Sequence, residues 1–236
     1  MGGRFSVWPL PFDRGTAAAL VSPQRFSTPD PNMLALDHIV IAAPSLAEGT
    51  AHVRDQTGID MPKGGEHPLM GTHNHLVRMG ADEFLEVIAV NAEAPAPQRP
   101  RWFNLDQPVQ HPRLSHWVVR CTDMAATHPL FPDTHGPAIP VTRGDLRWLL
   151  TVPEDGSLPL DGVAPSLIDW QTAPLPPTRM EGADAALTAL ELYHPQAKTL
   201  AHWLEPLLPD PRISYHTGPV GIKAQLTVRG CSVTLR

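Results

Sequence analysis

The sequence predicts an α+β chain in which one strand–helix–strand module occurs twice and a smaller unit follows. Three observations carry this. Leu36-Asp37-His38-Ile39-Val40 and Leu114-Ser115-His116-Trp117-Val118 share the order Leu, polar, His, large apolar, Val. Each is followed by a later apolar run holding one carboxylate, Phe84-Leu85-Glu86-Val87-Ile88 and Ser166-Leu167-Ile168-Asp169-Trp170. The intervening segments also correspond in outline, and an internal repeat constrains a fold more than any single motif.

Residues 1–33 hold scattered apolar side chains with neither a strand nor a helix period, which predicts a poorly ordered N-terminal extension. A strand then runs from Leu36 to Ala42. Ser45 and Glu48 form a capping-box pattern for a helix that ends at Gly58, a residue suited to the left-handed position beyond a helix. Pro62 to Pro68 predicts a Gly-rich loop, with Gly64-Gly65 as a turn. Thr72–Met79 and Glu83–Val90 predict two antiparallel strands joined through Gly80-Ala81-Asp82. After a Pro-rich connection the module restarts at Leu114. Its helix over Met124–Phe131 is weakened by Pro129, and its strands fall at 144–152 and 165–171. Residues 184–236 predict an accessory βαββ unit: a strand over 187–193, a helix from Pro195 to Leu208, and two or three strands.

Proline, 28 of 236 residues, stands well above the ~5% average and clusters between the strands, so the connections are loops rather than helices. The net charge of −6 and the lack of a basic stripe exclude a nucleic-acid-binding role. No apolar run approaches the ~20 residues of a membrane span. Two cysteines cannot form a disulfide framework, and no secretory leader is evident, so a cytoplasmic location is expected.

Residues two apart on a strand share a face. His38 therefore goes with Leu36, Val40 and Ala42, and His116 with Leu114 and Val118, leaving the Ile/Trp/Val faces for packing. If the two modules close edge to edge, two imidazoles and two carboxylates converge. That ligand set suits an open Fe, Mn, Ni, Co or Zn site rather than a closed structural one. His73 and His75 depend on a turn. Two turn residues at Ala81-Asp82 put both on the Glu86 face, whereas three put Thr72 and Asn74 there. Either way they are pocket lining or surface rather than ligands.

At these residues the chain resembles the glyoxalase-like members of the vicinal oxygen chelate superfamily. The stretches that carry the likeness are Leu36–Val40, Gly71-Thr72-His73-Asn74-His75-Leu76-Val77, Phe84–Ile88, Gly136-Pro137 and Val141–Gly144 with Trp148, and Leu167–Trp170. The resemblance covers about 34–172, as modules 34–90 and 112–172. It implies paired βαβββ modules forming a cup-shaped mixed β-sheet around one divalent metal ion. His38, Glu86, His116 and Asp169 would be the ligands, although Asp169 departs from the usual Glu or Gln. Glu86 would be the catalytic base, and His73, Asn74, His75, Arg143 and Trp148 would contact a small-molecule substrate. The implied activity is that of a metal-dependent lyase, isomerase or dioxygenase acting on a small oxygenated or carbonyl metabolite. The alternative is a metal-free binding module on the same fold. The unit at 184–236 would extend the sheet or supply a homodimer surface.

Overall fold

The computed structural model describes residues 34–236; the extension expected over 1–33 lies outside the described residues. The first module comprises β1 (Ala35–Ala42), α1 (Leu46–Thr57), β2 (Lys63–His67), β3 (Thr72–Met79) and β4 (Glu83–Val90). The second comprises β5 (Arg113–Cys121), α2 (Met124–Thr127), β6 (Ala138–Arg143), β7 (Leu146–Thr151) and β8 (Ser166–Trp170). After it come β9 (Gly182–Ala183), β10 (Ala185–Tyr193), α3 (Ala197–Leu204), β11 (Ile213–His216), β12 (Gly221–Val228) and β13 (Cys231–Leu235).

The helix ends follow from local chemistry. Ser45 Oγ accepts from the Glu48 amide and donates to its carboxylate, and Gly58 closes α1 at φ 71°. Both ends thus satisfy backbone groups that the helix leaves unpaired. α2 is only four residues long, as Pro129 requires, since proline donates no amide hydrogen.

The two modules have the same topology. The sheet order is β2-β3-β4-β1-β5-β8-β7-β6. β1 pairs in parallel with β4, β5 pairs in parallel with β8, and β1 and β5 join the halves antiparallel. The outermost strands β2 and β6 touch, so the sheet curls nearly closed. Its inner face carries Val40, Ile88, Val118, Trp148 and Ile168; its outer face carries Ile39, Ile41, Leu85, Trp117 and Leu167.

The third unit does not extend this sheet. It forms its own four strands in the order β11-β10-β12-β13, three of them after α3, where two or three were expected. Leu190, Leu200, Leu204 and Leu226 share one apolar layer with the outer face of the cup. Arg212 is gripped by Asp210 and by Glu83 of β4, and the Leu114 amide donates to the Arg236 carbonyl at 2.9 Å. The tiny β9 strand pairs with β3. No helix among the described residues is long and apolar enough to cross a membrane.

Candidate functional site

Two β-bulges build the centre. Along the β1–β5 ladder the register slips between Leu36 and His38, leaving Asp37 as the extra residue, and again opposite Val40 and Ile41, leaving Ser115 extra. A bulge re-aims side chains that strict alternation would send to opposite faces. Leu36 and Leu114 consequently pack in the outer core instead of sharing the histidine face. Asp37 turns to the histidine side, where its Oδ1 lies 2.6 Å from His38 Nδ1 and its Oδ2 accepts from Trp170 Nε1 at 3.0 Å. Ser115 Oγ similarly lies 2.8 Å from His116 Nδ1 and donates to the Val40 carbonyl. In both halves the residue before the histidine fixes its ring and leaves Nε2 free to face inward.

His38 Nε2 lies 3.4 Å from Glu86 Oε2. The β3–β4 turn has three residues, pairing Met79 with Glu83 and Leu76 with Glu86. That register puts Asn74 in the cup. Its Nδ2 donates to Glu86 Oε1 at 2.7 Å, while its Oδ1 accepts from the Gly65 amide at 2.9 Å and from Arg143 Nη1 at 3.2 Å. The amide therefore stands between a carboxylate and a guanidinium. His67 completes the cluster: its Nδ1 lies 3.0 Å from Thr72 Oγ1, and its Nε2 is 3.4 Å from both Asn74 Nδ2 and Arg143 Nη1.

Burial dominates the electrostatics. It opposes a charged His38, but the contacts with Asp37 and Glu86 outweigh it and raise the pKa from 6.5 to about 9. Burial likewise opposes an ionised Glu86, yet His38 and Asn74 bring its pKa down to about 2. His116 and His67 have no such partner strong enough, and burial lowers them to about 3 and about 4. At neutral pH the cup thus holds a charged His38–Glu86 pair beside two neutral imidazoles.

The expected site residues divide by face. His38, Glu86, Asn74, Arg143 and Trp148 line one cavity. His116 lies on the neighbouring strand beneath Phe103, whose ring centroid is 4.0 Å from its own. Asp169 does not join them. β8 turns Ile168 and Trp170 to the cavity and sends Asp169 the other way, where its Oδ2 accepts from the Met124 amide at 3.0 Å. His73 and His75 also fall outside, because the three-residue turn puts them on the opposite face from Asn74. His73 pairs across from Glu66, and His75 Nδ1 lies 2.7 Å from the Met61 carbonyl. Sequence reasoning missed His67, Asp37, Ser115, Trp102 and Phe103. For Asp37 and Ser115 a signal existed, since both polar residues stand at the same place in the repeat.

The donors fit a divalent ion in kind. His116 Nε2 is buried without a hydrogen-bond partner, and the His38 ring is held with Nε2 toward a carboxylate. They do not converge fully: among the described residues no three His, Cys, Asp or Glu side chains stand together at metal-binding spacing.

A family model described as a glyoxalase-like domain matches residues 36–208, running past both modules and through α3. Among solved structures, a hypothetical protein from Staphylococcus aureus is similar at 14% identity with a TM-score of 0.54, covering 80% of this chain and 88% of that one. A methylmalonyl-CoA epimerase from Mycobacterium tuberculosis is similar at 17% identity with a TM-score of 0.40, covering 59% of this chain and 88% of that one. No curated protein matches the sequence.

Proposed function

Because the chain belongs to the glyoxalase-like domain family of the vicinal oxygen chelate superfamily, we propose that it is a metal-dependent enzyme acting on a small oxygenated or carbonyl metabolite. One observation carries this reading. His38 and His116 each have Nδ1 tied by the preceding residue, and His38 presents Nε2 to Glu86 while the His116 Nε2 has no partner. Buried, unpaired polar atoms are costly, and a cation shared by these three side chains removes that cost.

His38, His116 and Glu86 would hold the ion, which when bound supplies Lewis-acid stabilisation of negative charge on substrate oxygen. The remaining chemistry belongs to the chain. Glu86 is in its basic form, with Oε1 anchored by Asn74, so its other oxygen can accept a proton from a carbon or hydroxyl placed above it. Asp37 keeps the His38 ring oriented. Trp148, Trp170 and Phe84 exclude water from the cup. The buried Cys121 and exposed Cys231, as free thiols, suit a cytoplasmic setting, and the centre suits isomerase, lyase or dioxygenase chemistry.

A metal-free binding module is the second reading. It is favoured by the incomplete convergence of the three side chains and by the Asp37–His38–Glu86 chain, which satisfies itself. One titration separates the two readings. Chelator-stripped protein offered Mn, Fe, Ni, Co or Zn should take up one equivalent, and Glu86→Gln should abolish uptake. If wild type binds none of the five stoichiometrically, the metal-dependent reading fails and the binding module stands.

A further inference from the structure

Resting on the cup as the substrate site, we infer that its substrate is a small monocarboxylate, received by the Arg143 guanidinium and the Trp102 indole N–H. Arg143 ends β6 and reaches back over the cup. Its only hydrogen-bond partners among the described residues are Asn74 Oδ1 and His67 Nε2, both on one nitrogen, Nη1. No Asp or Glu among the described residues stands within ion-pair distance of it, as for Arg78, Arg99, Arg113, Arg147 and Arg229, but of these Arg143 alone lines the cup. Burial of Arg143 disfavours its charge and the Glu86 carboxylate, further off, only partly offsets this, so an anion arriving there meets a guanidinium with unused donors. The planar fork matches a carboxylate through two parallel hydrogen bonds.

A second residue lining the same cavity has an unused donor. Trp102 is 2% exposed, lines the cup, and meets the His67 ring edge-on at 5.1 Å. Its Nε1 is buried and has no acceptor. An indole N–H is a donor only, so what it lacks is an oxygen. Arg143 and Trp102 are thus two cup-lining residues with donors left unused by the protein.

The chain also clears space for this arrangement. A Cβ on Gly64 would stand 2.2 Å from Asn74 Oδ1, and one on Gly65 would stand 2.8 Å from Arg143 Cδ. Both glycines lie in β2, where the two ends of the curled sheet meet. Their bareness lets the Asn74 amide and the Arg143 stem lie flat against the β2 backbone.

The charge count selects a monoanion. Glu86 is already paired with His38, so Arg143 is the one uncommitted cation among the cup's described side chains, and a second carboxylate on the ligand would find no further fork there. Because only the Asn74 amide separates Arg143 from Glu86, an acid seated on Arg143 brings its nearest carbons to Glu86. The cavity is small, about 40 Å³, which selects a short acid whose oxygenated carbon stands next to its carboxylate.

The test compares short acids with uncharged counterparts of similar size: pyruvate against hydroxyacetone, and glycolate against ethylene glycol. Binding is read by tryptophan fluorescence and calorimetry, with and without Mn²⁺. Wild type should prefer each acid by about tenfold or more. Arg143→Gln should erase the preference and leave metal stoichiometry unchanged. Gly65→Ala should weaken the acids several-fold by pushing on the Arg143 stem. Arg143→Lys keeps the charge but loses the fork, so it should restore little, and it serves if the Gln variant melts early. Equal binding of acid and counterpart, no acid bound at about 10 mM, or an intact preference in both Arg143 variants overturns the inference. Acid preference without metal uptake sinks only the metal-dependent reading; metal uptake without acid preference sinks only this one.

Discussion

Glu86 and Ser166 hold the same place in their two halves. Glu86 pairs with Val40 and Ser166 with Val118, each partner standing two residues after the histidine of its half. The second half therefore has a hydroxyl where the first has a carboxylate. A serine hydroxyl is a weak ligand beside carboxylate or imidazole, so a metal held here would draw two donors, His38 and Glu86, from the first half and only His116 from the second.

His38→Ala and His116→Ala should each cut metal affinity steeply, and Ser115→Ala should weaken it by about ten- to a hundredfold by freeing the His116 ring. His73→Ala should change nothing, because that side chain faces away from the cup. Metal content by elemental analysis, together with a titration of each variant, checks all four.

Asp169 is expected to act on the fold and not on the ion. Asp169→Asn keeps an oxygen for the Met124 amide and should leave both metal content and melting temperature nearly unchanged. Asp169→Ala removes the acceptor and should cost about 1 kcal/mol of stability, again with full metal content. A loss of metal in either variant would return Asp169 to the ligand set.

His135 gives the acid limb of stability a marker away from the cup. It is buried among Phe131 and Trp203, and burial lowers its pKa from 6.5 to about 4. The folded state therefore resists protonating it while the unfolded state does not. Its contribution is fully present above pH 6.5 and declines as the pH falls toward 4, by on the order of 2–3 kcal/mol. His135→Phe should flatten that part of a stability–pH curve measured by urea unfolding. An unchanged slope would show that other groups set it.

Removing residues 184–236 should abolish soluble expression. The third unit shares the apolar layer beneath Trp117 and Leu85, so its loss uncovers the outside of the cup sheet. Arg212→Ala is the milder probe. It leaves the Asp210 and Glu83 carboxylates without their shared cation and should lower stability by about 1–3 kcal/mol without changing metal content. A truncated protein that is soluble and melts like the parent would contradict this account.

The repeat was legible because two short motifs carried the same polar–His order, and the capping box fixed where α1 begins. What stayed hidden depended on single-residue offsets. Turns of two and three residues both suited Gly80-Ala81-Asp82, and only the folded register chose Asn74 over His73 and His75. Strict alternation placed Asp37 away from His38, but a bulge brought them together. Ser-Leu-Ile-Asp-Trp is buried along nearly its whole length, so its pattern could not say which side Asp169 takes. Gly64-Gly65 resembled a turn because close approach of another strand's side chain leaves no local trace. His67 and Trp102 reach the cup from separate segments that only tertiary structure unites.

The histidines sit on β1 and β5, and these two strands are hydrogen-bonded directly to each other along the line where the halves join. The separation of the two rings is therefore set by a backbone ladder and not by the angle between two bodies. Such a seam cannot open like a jaw without breaking sheet hydrogen bonds. Whatever admits a substrate must be found in the segments that roof the cup, around Trp102–Phe103 and near Met180. Substitutions there can retune which molecule enters while the spacing of the two imidazoles stays as the strands dictate.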